Sequence, residues 1–65
     1  MKITLNGKPC ETPAGTLAEV LAHSGYGGAT VATAVNGSFV PAGARGATPL
    51  TDGDRVEVVA PRQGG

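Results

Sequence analysis

The stretch that decides the fold is residues 16–25, TLAEVLAHSG. Thr16 and Glu19 have the S/T-x-x-E spacing of a capping box, in which each side chain meets a free backbone N–H of the other. Leu17, Val20 and Leu21 stand at i, i+3 and i+4 and therefore share one helical face. Gly25 falls just past the end, where a left-handed residue closes a helix. The reading is one amphipathic helix over residues 17–24. It is the only helix the sequence announces clearly, so its apolar stripe must be buried against something else.

That something is a sheet. Upstream, KITL at 2–5 alternates polar and apolar, the period of a half-buried strand. NG at 6–7 is the strongest short hairpin signal, because both residues tolerate positive φ. KPCET at 8–12 then returns, and Pro9, which has no N–H for a ladder, places that strand at a sheet edge. Downstream, VATAV at 31–35 alternates again, a second NG at 36–37 turns the chain, and SFV at 38–40 returns. Residues 41–49 form a long Ala- and Gly-rich connection with room for one short helical turn. TDGD at 51–54 is a tight turn into a last strand, RVEVVA at 55–60, with Val56 and Val58 on one face. The expected core is Ile3, Leu5, Leu17, Val20, Leu21, Val56 and Val58.

The order is two strands, a helix, then three strands. The hairpins join the first pair and the next pair, which lets the first and last strands lie side by side, parallel, in the middle. This is an α+β fold of the β-grasp (ubiquitin-like) type: a mixed sheet of about five strands under one main covering helix. We expect a domain over residues 1–60 and a flexible Gly-Gly tail over 61–65.

Composition narrows the function. At 65 residues there is one domain, and a domain this small has little interior for a catalytic cleft. Five basic and five acidic residues cancel, which leaves no footprint for nucleic acid or an anionic membrane. The single cysteine, Cys10, cannot form an internal disulfide, and the N-terminus has no signal-peptide pattern. No apolar run is long enough to span a bilayer. The expectation is a cytoplasmic monomer.

The ordinary chemistry is missing. His23 is the only histidine and lies off the apolar helix stripe, as a solvated residue would. One His and one distant Cys are too few to hold a metal. Cys10 has no nearby cation in sequence to activate it and reads as a half-buried strand residue. Asp52 and Asp54 flank Gly53 as turn-formers do. YGG at 26–28 and GARGA at 43–47 are Gly-rich, but neither joins a strand to a helix as a phosphate loop requires. No nucleophile, base and orienter can be assembled, so the expectation is a protein that is not an enzyme and binds no cofactor.

The remaining feature is the end, APRQGG at 60–65. With eleven glycines in 65 residues, a closing Gly-Gly arises by chance about 3% of the time on composition alone. Glycine lacks a Cβ and lets another backbone approach closely. Five extended residues from Pro61 reach roughly 17 Å, enough to thread a partner's active site while the body stays outside. A carboxylate is a poor electrophile and becomes useful only once a partner has activated it.

VNGSFVP at 35–41, LTDGDRVEVV at 50–59 and QGG at 63–65, together with MKITLNG at 1–7 and the helix starting at Thr16, resemble the ThiS family, the sulfur-carrier proteins of thiamine biosynthesis. The resemblance covers essentially the whole chain. It implies a β-grasp fold and a C-terminal glycine, here Gly65, that an E1-like adenylyltransferase activates with ATP and Mg²⁺. Sulfur from a cysteine desulfurase relay then gives a thiocarboxylate, and thiazole synthase receives the sulfur. Gly64 is the threading neighbour. Two departures stand out. AGARGAT at 42–48 has Arg45 as its only charge where members often carry a basic or polar segment with an aromatic residue, which suggests a looser loop. Pro61 and Arg62 stand where many members have small or apolar residues.

Three alternatives share the fold: a carrier serving molybdopterin synthesis, a carrier for another sulfur-containing metabolite, and an interaction module or protein modifier. The solvent-facing side of the sheet is the expected docking surface. Arg55, Glu57 and Val59 point that way by alternation.

Overall fold

The computed structural model describes residues 1–13, 15–26 and 30–60. The expected tail, 61–65, lies outside them, and with it the far side of the expected boundary at residue 60. Strands β1 (Lys2–Leu5) and β2 (Lys8–Glu11), helix α1 (Leu17–His23), strands β3 (Ala32–Val35) and β4 (Ser38–Val40), a 3-10 helix (Ala42–Ala47) and strand β5 (Arg55–Val59) follow in chain order. The sheet order is β2-β1-β5-β3-β4. β1 and β5 pair in parallel at its centre, and the other neighbours are antiparallel. This is the mixed sheet expected from the hairpins.

Both NG turns close as the sequence indicates. Asn6 and Gly7 have φ of 52° and 82°, and Asn36 and Gly37 have 51° and 84°. Two successive positive φ values are the mark of a type I′ turn, whose twist suits antiparallel strands. Pro9 sits on the edge strand β2, opposite Thr4.

Helix α1 is capped at both ends. The Thr16 hydroxyl accepts the Glu19 N–H at 3.3 Å, and Glu19 Oε1 accepts the N–H groups of Thr16 and Gly15, each at 2.9 Å. At the exit, Tyr26 N–H reaches the Leu21 carbonyl at 2.8 Å and Gly25 N–H, at φ 87°, reaches Ala22 at 3.3 Å. This pair of bonds is a Schellman motif. The helix start is also tied to the segment before β5: Leu17 N–H donates to Thr48 and Leu50 N–H to Gly15, both at 2.9 Å.

The core is Ile3, Leu17, Val20, Leu21, Val40, Leu50, Val56 and Val58. Leu5, expected inside, is only partly buried against it, as are Cys10, Tyr26 and Val35. Leu5 is the last residue of β1, at the rim of the sheet, opposite Lys8.

The connection after β4 corrects another expectation. It is a six-residue 3-10 helix rather than a loosened loop or a single turn. Arg45 holds it to the sheet. Its Nε donates to the Thr33 hydroxyl at 3.1 Å, and its Nη2 donates to the Val31 carbonyl. Thr33 is itself buried and donates to the Val40 carbonyl at 2.8 Å. The segment's one charge is thus a strut that ties it to β3, and an absence of other charges does not free it.

Candidate docking face at the root of the tail

Everything after Val59 hangs from β5, so the site begins with what fixes that strand. On one side the turn residue Asn6 donates its N–H to the Val56 carbonyl at 2.9 Å and accepts the Val58 N–H on Oδ1 at 2.8 Å. On the other side Asn36 donates its N–H to the Arg55 carbonyl at 2.7 Å and accepts the Arg55 N–H on Oδ1 at 2.9 Å. Each NG turn therefore does two things. It reverses its own hairpin, and it lends a side-chain amide to the central strand.

The start of β5 is fixed from below as well. Asp54 accepts the Thr51 N–H at 2.8 Å and the Asn36 side-chain amide at 3.0 Å. The Thr51 N–H, foremost, and the Asn36 amide hold its carboxyl below the usual aspartate range. Asp52 Oδ1 accepts the Lys2 N–H at 2.7 Å, and Gly53, at φ 91°, donates to the Lys2 carbonyl at 2.7 Å. Both aspartates are thus occupied in shaping the turn.

The outer face of the sheet follows from the register. Thr4 lies beside Arg55, Ala34 beside both Glu57 and Phe39, and Ala32 beside Val59. One half of the face is polar, with Lys2, Glu11, Arg55 and Glu57. The other half is apolar. Phe39 is 70% and Val59 63% exposed, and between them Ala32 and Ala34 leave a trough floored by small side chains, with Glu57 lining its border with the polar half. The trough holds about 200 Å³ and opens to solvent. That is below the roughly 300–1,000 Å³ of small-molecule pockets. It suits one or two protruding side chains of a partner better than a metabolite.

Arg55, Glu57 and Val59 are all exposed on this face, as alternation implied. They do not form one patch of a single character, because Arg55 belongs to the polar half and Val59 to the apolar half. Sequence reasoning missed Phe39. Its outward position follows from Val40, which faces the core, and the three residues of β4 are too few to show that alternation in sequence. Cys10 is half-buried on β2 and His23 is exposed on α1, as expected. Gly64 and Gly65 lie outside the described residues. Among those described, no helix is long and apolar enough to cross a membrane.

A helix laid across a mixed five-stranded sheet, with parallel first and last strands at its centre, defines a ubiquitin-like β-grasp protein. Comparison with known families makes this specific: the ThiS family model matches residues 3–65, and the chain belongs to the ThiS family. Among solved structures, the thiamine biosynthesis protein ThiS from Geobacter metallireducens is similar over 100% of both chains, with a TM-score of 0.83 and 33% identity. A comparison with curated proteins gave no significant match.

Proposed function

We propose that this chain carries sulfur as a thiocarboxylate on the carbonyl carbon of Gly65. The ThiS family is that of the sulfur carriers of thiamine biosynthesis, and membership makes this chain a small carrier protein and not a catalyst. Its chemistry is therefore done in partners. In an E1-like adenylyltransferase a carboxylate oxygen of Gly65 attacks the α-phosphorus of ATP, with Mg²⁺ on the phosphates. Pyrophosphate leaves and an acyl-adenylate forms. The terminal sulfur of a persulfide from a cysteine desulfurase relay then attacks the carbonyl carbon. AMP leaves with one former carboxylate oxygen, which gives an acyl disulfide. A partner thiol cleaves its S–S bond and leaves as a disulfide with the relay sulfur, and the thiocarboxylate remains. Thiazole synthase is the acceptor of that sulfur.

The observation that carries this reading is the position of Val59. It is the last residue of β5 and one wall of the apolar trough, so the docking face and the start of the tail share a residue. A partner that grips Phe39 and Val59 is placed to receive the residues after Ala60. Glycine at 64 and 65 keeps the thread narrow, since neither adds a Cβ.

The test is ATP–pyrophosphate exchange with the cognate adenylyltransferase, followed by intact-mass analysis. Deleting Gly65 shortens the reach by about 3.3–3.6 Å and should abolish exchange. Its unfolding curve should match that of the parent protein. The wild-type product should show one oxygen replaced by sulfur at the C-terminus. Exchange at the wild-type rate without Gly65, or sulfur found on Cys10, would disprove the assignment.

A further inference from the structure

We propose that Asn6 is a positioning residue for the carrier reaction: its side chain sets the direction in which the chain leaves the sheet towards the activating partner. The proposal rests on the carrier reading above and extends it to a residue far from the tail in sequence.

The two central strands are unequal in length. β1 ends at Leu5, and its parallel register with β5 covers only Thr4 beside Arg55 and Leu5 beside Val56. Beyond that point the chain turns away at Asn6 and Gly7, while β5 continues to Val59. On the β3 side the ladder persists to the end, with Ala32 opposite Val59. On the β1 side the Val58 N–H would have no strand carbonyl to meet. Asn6 Oδ1 takes that place at 2.8 Å. It is a side-chain rung added to the ladder one residue before the trough wall.

Without this rung, the last residues of β5 are held on one edge only and can pivot about the β3 ladder. Phe39, Ala32 and Ala34 would stay in place, because they belong to β3 and β4, and Val59 would stay beside Ala32 through the β3 ladder. The exit direction of Ala60 would not. Adenylation needs the carboxylate aligned within about 3–3.5 Å of the phosphorus it attacks, so a wandering exit slows the reaction without weakening docking.

The second NG turn supplies a matched control. Asn36 has nearly the same φ and also accepts a β5 N–H, but that of Arg55, at the opposite end of the strand. Glycine accepts a positive φ at either position. Asn6→Gly deletes the bond from Val58 and Asn36→Gly deletes the bond from Arg55 together with the Asn36 bond to Asp54, and both preserve the turn. Asn6→Asp keeps the acceptor oxygen and tolerates the same φ.

The experiment has two readouts on the full chain: steady-state adenylation with the cognate activating enzyme, and amide hydrogen exchange. For Asn6→Gly we expect kcat about fivefold lower with KM unchanged, the scale of one hydrogen bond. Asn36→Gly should keep the wild-type kcat, and Asn6→Asp should restore it. The Val58 amide should exchange about tenfold faster in Asn6→Gly, relative to the Thr4 amide that bonds Asp54, and return to wild-type protection in Asn6→Asp. Equal loss of kcat in both glycine variants, or an unchanged Val58 amide in Asn6→Gly, overturns the proposal. If Asn6→Gly does not fold, Asn6→His, which tolerates positive φ but displaces the acceptor, carries the same two readouts. A wild-type chain that is not adenylated overturns the carrier reading and the role of Asn6 with it. A wild-type chain that reacts, with no selective effect at position 6, overturns the role of Asn6 alone.

Discussion

Among single residues, Asp54 makes many connections for its size. Its carboxylate takes the Thr51 N–H and the Asn36 amide, and Asn36 in turn holds the start of β5. These bonds favour the charged form, so the folded chain binds a proton at Asp54 less readily than the unfolded chain does. The sign follows from linkage: the contribution is complete above the ordinary aspartate value near pH 4 and is lost as pH falls through the lowered folded value. Glu19, lowered by the Gly15 and Thr16 N–H groups, acts in the same direction. Asp54→Ala should therefore be less stable at neutral pH and show a shallower fall in stability on acidification. Urea midpoints measured from pH 7 down to pH 3 check this, and parallel curves for the two proteins would contradict it. The capping box and both NG turns were legible in the sequence because their partners lie within a few residues. Thr33 was not. It occupies an inward position of β3, but a hydroxyl is a core residue only when something accepts its proton and something bonds its oxygen. Here the Val40 carbonyl and Arg45 do so, seven and twelve residues away.

Among elements, the strands that could be read were those long enough to show alternation. β4 has three residues, too few to declare a face, so Phe39 was passed over and Val40 was not placed in the core. Leu50 was missed for a related reason: it is buried from a connection with no period to reveal it. The 3-10 helix at Ala42–Ala47 has no buried residue of its own, and Arg45 anchors it through hydrogen bonds, which leave no periodic trace in sequence. The sheet's outer face gives the prediction at this scale. Phe39→Asp removes one wall of the trough and puts a charge there, yet the side chain is mostly in solvent. The dissociation constant for the activating enzyme should rise at least about tenfold, as for a central aromatic anchor. The melting temperature should stay near that of the wild type. Calorimetric titration against the enzyme decides it, and unchanged affinity would place docking elsewhere.

For the molecule as a whole, the sequence order already implied the central parallel pair, since two hairpins flanking one helix leave few other ways to close the sheet. What the order could not reveal is how β5 is held, because Asn6 and Val58 are 52 residues apart. The same arrangement makes the protein's own synthesis a checkpoint. The strand made last fills the middle of the sheet, and until it arrives β2-β1 and β3-β4 are two hairpins with no ladder between them. An isolated two-stranded hairpin is marginal in water. A chain terminated at residue 54 should accordingly show no cooperative melting transition, whereas one terminated at residue 60 should melt like the full protein; cooperative folding of the shorter chain would refute this. An aborted translation product that lacks β5 would present loose hairpins to proteases and no assembled face to an activating enzyme. On the carrier reading, a chain that stops before β5 would fail at docking, before the reaction at Gly65 is reached.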